Sequence, residues 1–246
     1  MAASVISARL DLMIRLIDTT TGAIVDERNV LFLRNGLAVK PASRGPGVFI
    51  FINTGREDFL MQLEVYGYEP FDKEVLYGEL DQRLPVMNIF LMPSESMFKG
   101  EGLISFSGTL PFLKKIEAVD LRKPVCIFNE YDAKKAVVKI FRTGAGKVEM
   151  EDIYYGLLSS DKQSYEKIEV IENVTPQSVR LKETLKGEFT SNSPVMRVIF
   201  GTVTKDGDYL LRVRDDGEDI RYLVRYEVND EVRFQTVDFR NMEALS

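Results

Sequence analysis

The amino-acid sequence predicts an all-β protein built from two β-sandwich-like domains. Three observations support this prediction. Apolar and polar residues alternate with a period of two through most of the chain, no segment shows a convincing helical stripe, and turn-forming residues recur at close spacing. The composition of 45% hydrophobic and 28% charged residues among 246 is that of a folded globular chain and excludes a disordered one.

The first half of the chain reads as a series of strands joined by turns. Within Ala8–Leu16 every second residue is apolar, which predicts a strand with one buried face. The following segment, Asp18–Gly22, has turn chemistry, and Gly22 can adopt a positive φ. A turn is also predicted at Arg44–Gly47. Further strands are predicted at Ala23–Val25, Asn29–Arg34, Val48–Asn53, Phe59–Tyr66, Glu74–Tyr77 and Val86–Met92.

A segment rich in Pro, Ser and Gly, Pro93–Gly102, interrupts the alternation. We therefore predict a first domain at 1–93, a linker at 94–102 and a second β-rich domain at 103–246. Short helices are possible within Phe112–Leu121 and Asp152–Tyr165, because short apolar runs do not distinguish a helix from a strand. Strands of this half are predicted at Leu103–Ser107, Val125–Asn129, Ala136–Phe141, Lys167–Glu172 and Ser178–Leu185.

The last fifty residues predict a four-stranded antiparallel meander. Three turn dipeptides, Asp206-Gly207, Asp216-Gly217 and Asn229-Asp230, separate its strands. Asp-Gly is a strong hairpin signal, because a type I′ turn needs a positive φ at both central residues. The four strands are predicted at Val195–Thr204, Asp208–Arg214, Asp219–Val228 and Glu231–Phe239.

The counts of individual residue types exclude most common catalytic sites. The chain has no histidine, which removes His-based triads, His-ligated metals and imidazole bases. Its one cysteine, Cys126, lies in the apolar run Pro124–Phe128 and is predicted to be a buried, unreactive side chain. A pair of carboxylates could still act as acid and base, but no spacing nominates such a pair. We therefore expect a protein that is not an enzyme and has no cofactor.

Two short patterns could indicate a ligand site: a glycine-containing loop and a set of acidic turn residues. Thr143–Lys147 resembles a phosphate-binding loop but lacks its first glycine and its final Ser or Thr, so a hairpin turn is the better interpretation. The turns of the predicted meander also carry acids that share one end and could converge on calcium. The alternative is ordinary turn chemistry exposed to solvent. These candidate ligands are Asp206, Asp208, Asp230 and Glu231.

Arginines recur at every second or fourth position on two strands of the predicted meander. A period of two would place each pair on one face of the sheet, where the arginines could bind an acidic partner. The alternative is a solvated face with cross-strand ion pairs. The candidates are Arg212, Arg214, Arg221 and Arg225. The terminal segments Met1–Ser7 and Asn241–Ser246 are the other predicted partner contacts.

Three segments of the first domain carry a family resemblance. Leu12–Ile24 combines an apolar strand with a D-x-x-T-G-like turn, Gly47–Asn53 has a G-x-F-x-F-like pattern, and Val65–Pro70 contains Gly-Tyr-Glu before the strand at Val86–Pro93. Residues 8–93 thereby resemble the carboxypeptidase regulatory-like domain, a transthyretin-like β-sandwich of about seven strands in Greek-key order. The resemblance implies a non-catalytic module for binding, spacing or assembly. Enzymes on related sandwiches depend on histidines, which this chain lacks.

Charge and hydropathy narrow the expected partners. A net charge of −6 disfavours nucleic-acid binding, and no apolar run is long enough to insert into a membrane. Met1–Arg9 does not resemble a secretory signal, so we expect a cytoplasmic location or a particle assembled there. The predicted function is a structural or adaptor subunit of a large assembly, such as a phage-tail-like or contractile injection particle, bound to other subunits or to itself. The alternative is a module that binds a glycan or cell-surface polymer, which the absence of Trp makes the second choice.

Overall fold

The structure, a computed structural model, describes residues 9–27, 29–94, 102–142, 150, 153–214, 221–239, 241 and 245. In this part of the chain there is no α-helix, so none could cross a membrane, and the all-β prediction is confirmed. A single 3-10 turn lies at Tyr77–Glu79. The strands are β1 (Leu10–Asp18), β2 (Val30–Arg34), β3 (Leu37–Val39), β4 (Ala42–Gly45), β5 (Val48–Ile52), β6 (Phe59–Val65), β7 (Phe71–Val75), β8 (Val86–Leu91), β9 (Leu103–Thr109), β10 (Leu113–Asp132), β11 (Val137–Arg142), β12 (Tyr154–Leu158), β13 (Tyr165–Thr175), β14 (Ser178–Leu181), β15 (Pro194–Phe200), β16 (Thr202–Val203), β17 (Asp208–Arg214), β18 (Arg221–Val228) and β19 (Glu231–Asp238).

The chain divides into two compact units. The first unit contains Met1–Asp18 and Ile24–Met97, and the second contains Thr19–Ala23 and Phe98–Ser246. Of the predicted linker at 94–102, only Ser94 and Gly102 belong to the described residues. The two segments in which a short helix was possible instead contribute to strands β10 and β12.

The first unit is a sandwich of two four-stranded sheets. One sheet has the strand order β4-β5-β1-β8 and the other β3-β2-β6-β7, and all pairs are antiparallel except β1 with β8. The alternation of strand β6 gives this sheet one buried face: Phe59, Met61, Leu63 and Val65 are buried, and the residues between them face outward. One apolar cluster joins buried side chains from both sheets. The resemblance to the carboxypeptidase regulatory-like domain stays a prediction.

The turn between β4 and β5 requires a glycine. Gly47 has a φ of +61°, and a Cβ atom there would lie 2.5 Å from the carbonyl oxygen of Val25. Both the backbone conformation and the close approach exclude a side chain. The predicted turn at Arg44–Gly47 is therefore confirmed at its second half, while its first half extends β4.

Most of the second unit is one eight-stranded sheet that closes on itself. The strand order is β11-β14-β13-β12-β15-β10-β18-β19, and β11 pairs in addition with β10. Six strands, β10 to β15, thus form a closed antiparallel ring without a free edge. Each of the six contributes apolar side chains to one cluster, which includes Cys126, Phe128, Ile140, Tyr155, Leu157, Ile168, Val179 and Val195.

Strand β10 belongs to two parts of the second unit. Its first residues, Leu113–Asp120, pair with β18, and its last, Cys126–Asp132, pair with β11. The pairing with β15 on its other side shifts register around Pro124, which lacks a backbone N–H. The N-terminal part of β10 with β18 and β19 packs on a second sheet, β16-β17-β9, around another core. In that core the ring of Phe239 stacks between those of Phe106 and Tyr222, with centroids 5.0 and 4.8 Å away.

The prediction of a four-stranded C-terminal meander is wrong. Two hairpins form, β16–β17 and β18–β19, but β17 pairs with β9 and β18 pairs with β10. Strands β17 and β18 therefore lie in different sheets, because each pairs with a strand from much earlier in the chain. The Asn229-Asp230 turn has positive φ at both residues. At Asp206-Gly207 only Gly207 has a positive φ, so the type I′ turn predicted there is wrong, and the Asp216-Gly217 turn lies outside the described residues.

Candidate functional site

The outer face of the sheet β3-β2-β6-β7 exposes apolar side chains. Leu31 and Leu60 are 43% and 40% exposed, Leu33 is half-buried, and Ala38 lies directly opposite Leu33 on β3. These residues alternate with buried ones such as Phe32, so they face away from the core. We call Leu31, Leu33, Ala38 and Leu60 the leucine face.

Acidic side chains border the leucine face. Glu64 lies opposite Leu31, and Glu74 lies opposite Leu60. Asp72 occupies the neighbouring outward position on β7, opposite Gln62. All three carboxylates are exposed, and no outward position of these four strands carries Lys or Arg. An apolar centre with a charged border is the usual make-up of a protein interface, and here the border is negative.

Ile116 and Ala118 of β10 point into the core with Phe239, and a row of side chains lies on the other face of the same sheet. Phe200, Glu117, Arg225 and Phe234 stand opposite one another on β15, β10, β18 and β19. The carboxylate of Glu117 is only 3% exposed and binds two cations. Its Oε1 accepts a hydrogen bond from Arg225 at 2.6 Å and its Oε2 one from Lys167, also at 2.6 Å. This ion triad joins β10, β13 and β18.

A cleft of about 400 Å³ lies beside the ion triad. We call it the charged cleft; its walls include Tyr154, Lys167, Glu169, Lys186, Arg225 and Phe234. The lining carboxylates have partners in the protein. Glu169 accepts a hydrogen bond from Lys182 at 2.9 Å, which raises the pKa of that lysine. Glu166 accepts backbone N–H bonds from Lys186 and Gly187 at 2.9 and 2.8 Å.

The inner wall of the charged cleft depends on a close contact at Gly156. A Cβ atom there would lie 2.9 Å from both Tyr165 and Val119. The ring of Tyr165 also meets that of Phe234 edge-on, with centroids 5.5 Å apart. Burial, with a further contribution from Glu117, raises the pKa of the Tyr165 hydroxyl far above its usual range. Tyr165 is thus a neutral part of the wall.

A second buried carboxylate, Asp11, anchors a loop in the first unit. Its Oδ2 accepts hydrogen bonds from the backbone N–H groups of Thr54 and Gly55 at 2.6 and 3.1 Å. Its Oδ1 accepts one from Arg9 at 2.7 Å, with Arg56 3.7 Å away. Burial by itself would raise the pKa of Asp11, but these hydrogen bonds outweigh it and hold the pKa below its usual value.

The four predicted arginines do not share one face, because β17 and β18 lie in different sheets. Arg212 is buried, Arg221 is exposed, and Arg225 binds Glu117. The side chain of Arg214 lies outside the described part of the chain, although its backbone pairs with Leu103. Sequence reasoning thus found Arg225, but gave it the wrong environment.

The four predicted calcium ligands do not converge either. Asp208 accepts a hydrogen bond from Thr109, Asp230 pairs with Lys114, and Glu231 with Arg233. Asp206 is exposed at its turn. Among the described residues no three Asp, Glu or Cys side chains come close enough to hold a metal ion. The reason is again the separation of β17 from the β18–β19 hairpin.

Of the remaining predictions, those for Cys126 and for part of the C-terminal segment can be compared with the structure. Cys126 is buried inside the closed ring, as predicted, and burial raises the pKa of its thiol to about 12. Leu245, within the predicted C-terminal contact segment, is buried in the second unit's own core. The loop Thr143–Lys147 and the segment Met1–Ser7 lie outside the described residues.

Sequence reasoning missed Glu117, Lys167 and the leucine face. Because Glu117 alternates with Ile116 and Ala118, the sequence correctly places it on the face away from that core. A residue on that face is normally expected to be exposed to solvent. Here Lys167 on β13 and Arg225 on β18 bind its carboxylate, and Glu117 is only 3% exposed. The leucines could have been noticed as apolar residues on the polar side of the alternation in β2 and β6.

Comparisons with models of known protein families, with curated proteins and with solved structures find no match to this chain.

Proposed function

We propose that this protein is a non-catalytic structural or adaptor subunit of a large protein assembly, of the kind found in phage-tail-like or contractile injection particles, and that it binds a neighbouring subunit through the leucine face. The observation that carries the proposal is the exposure of Leu31 and Leu60 at the centre of an acidic border. Burying such apolar area in a partner is favourable, by roughly 25 cal/mol per Å².

The border defines the chemistry of the partner. Glu64, Asp72 and Glu74 favour a surface that combines apolar side chains with Lys or Arg, and they disfavour an anionic polymer. Charge complementarity of this type accelerates association and selects the partner, while the apolar centre supplies most of the affinity. Binding is therefore expected to weaken as salt screens the border.

The carboxylates and the thiol of the second unit support a non-catalytic role. Glu117, Glu166 and Glu169 are each held by donors of the protein, as expected of carboxylates with a structural role. The thiol of Cys126 is buried with a strongly raised pKa, which makes it a poor nucleophile. These features are typical of a scaffold.

The test places charge in the leucine face. The double variant Leu31→Glu/Leu60→Glu is expected to lose incorporation into particles sedimented from a native lysate of the producing cells. Ile171→Glu, which changes an exposed apolar residue on β13 of the other unit, is the matched control and is expected to assemble normally. Thermal unfolding of the purified variants shows whether each is folded. Normal incorporation of a folded double variant would refute the leucine face as the docking surface.

A further inference from the structure

The charges that line the charged cleft balance. Three cations, Lys167, Lys186 and Arg225, stand with three carboxylates, Glu166, Glu169 and Glu183. Glu117 and Lys182 behind the lining add one charge of each sign. The lining therefore has no excess of one sign of charge that would favour a phosphate, a sulfate or a metal ion. A ligand that matches it is polar but carries no net charge.

The cleft also retains hydrogen-bonding groups of both kinds. An ammonium has three donors and a guanidinium five, and in the described part of the chain Lys167 and Arg225 each use their hydrogen bonds on Glu117 alone. That bond fixes each cation in place and leaves further N–H groups. Carboxylate oxygens of Glu169 and Glu183 supply acceptors nearby. Hydroxyl groups, which both donate and accept, suit such a mixture.

Aromatic side chains complete the lining. Phe234 and Tyr154 are half-buried at the cleft, and Phe234 is held in place by its edge-on contact with Tyr165. An aromatic ring next to polar groups can pack against the apolar C–H face of a sugar ring while its hydroxyls bind the charged side chains. The volume of about 400 Å³ lies within the range of small-molecule sites, roughly 300–1,000 Å³.

We infer that the charged cleft is a binding site for a neutral saccharide. The inference is independent of the adaptor role, because the cleft lies in the second unit and the leucine face in the first. A peptide is the competing class of ligand. Peptides are commonly distinguished by the charges of their side chains, and a lining with balanced charges does not favour either sign.

The test is titration calorimetry of the full-length chain with linear oligomers of glucose, galactose, mannose and N-acetylglucosamine. At least one neutral oligomer is expected to bind with a dissociation constant of about 1 mM or lower. Phe234→Leu, which keeps an apolar side chain but removes the ring, is expected to weaken that binding at least about tenfold. Phe141→Leu, at an exposed aromatic residue on β11 that is not part of the cleft lining, is the matched control and should bind as the unchanged protein does.

Three comparison ligands separate the outcomes: an oligogalacturonate, a heparin fragment and a mixed-sequence peptide library. Binding of only these ligands, binding of no neutral oligomer, or equal binding by Phe234→Leu would each overturn the inference. Incorporation of Phe234→Leu into particles is expected to stay normal. A loss of incorporation in Leu31→Glu/Leu60→Glu with unchanged saccharide binding would show that the two sites act separately.

Discussion

The two units each bury a carboxylate and stabilise it in different ways. Asp11 in the first unit is held by backbone N–H groups of the loop at Thr54 and Gly55, together with Arg9. Among the described residues, Glu117 in the second unit is held by the side chains of Lys167 and Arg225 alone. The partners of Asp11 are the loop after β5 and the residue just before β1, while those of Glu117 come from strands 50 and 108 residues away.

The difference shows what each carboxylate does for the fold. Backbone donors fix the conformation of the loop that follows β5, so Asp11 acts locally. Side-chain donors on β13 and β18 tie together strands from distant parts of the chain, so Glu117 acts on tertiary structure. The loss of Glu117 would also leave two cations without a partner, which is costlier than the loss of one loop anchor.

Glu117→Ala is expected to have the largest effect. Breaking a buried ion pair costs about 3–5 kcal/mol, and partial exposure of Lys167 and Arg225 reduces this to roughly 2–4 kcal/mol of unfolding free energy. Urea unfolding measures it. Glu130→Ala is the matched control: Glu130 also binds a lysine, Lys139, at 2.7 Å, but it is exposed, so its loss should cost less than about 1 kcal/mol. Equal costs for the two variants would contradict a structural role of the triad.

Asp11→Asn is expected to destabilise the first unit by about 1.5–3 kcal/mol, because the hydrogen bonds from Arg9, Thr54 and Gly55 lose their charged acceptor. Hydrogen exchange resolved by peptide should show the loss of protection in the first unit alone. Asp161→Asn provides the comparison, since that exposed carboxylate also accepts loop hydrogen bonds, from Ser159 and the N–H of Gln163. A similar small change in both variants would mean that burial of Asp11 adds nothing.

Gly156→Ala is expected to cost about 1–3 kcal/mol, because the added methyl group would lie too close to the side chains of both Tyr165 and Val119. The change should appear in the second unit as a lower urea midpoint. Gly78→Ala is the control, as a Cβ atom there meets no atom within 4 Å. A neutral Gly156→Ala would show that β12 and β13 can move away from β10 without loss.

The pH dependence of the first unit gives the smallest expected effect. Because the pKa of Asp11 lies below its unfolded value of 3.8, its ionised form stabilises the fold above that pH. This stabilisation should be lost as the pH falls from about 4 through the lower, folded-state pKa. Asp11→Asn should remove that part of the slope when unfolding free energy is measured between pH 5 and 2. An unchanged slope would contradict the assigned cause of the shift.

Local patterns predicted β1, β2, β5, β6 and β8 of the first unit, but they missed β3 and β4 and displaced β7. The strand predicted at Ala23–Val25 is only an isolated bridge at Ile24. In β2 and β6 one face is buried, so alternation identifies both strand and face. Strands β1 and β5 bury consecutive residues, so alternation does not identify a single buried face there. The Asn229-Asp230 turn was also predictable, because a short-range conformational preference decides it.

Pairing between distant strands was not predictable. Asp208–Arg214 has the alternation of a strand but nothing in it specifies β9 as its partner. A proline such as Pro124 normally predicts the end of a strand. In β10 it lies between the part that pairs with β18 and the part that pairs with β11, where a missing N–H is tolerated. The candidate sites depend on these pairings: Glu117 meets Lys167 only when β10, β15, β12 and β13 lie side by side in one sheet, and no local signal anticipates that contact.

The length of β10 has a consequence for how the second unit comes apart. Its twenty residues contribute side chains both to the core of the closed ring and to the core shared with the sheet β16-β17-β9. Neither core can therefore unfold without exposing part of the other. Two cores would ordinarily give two melting transitions. Here the shared strand couples them, and we expect the second unit to melt as a single cooperative domain, with amide protons on both halves of β10 exchanging at the same, global rate.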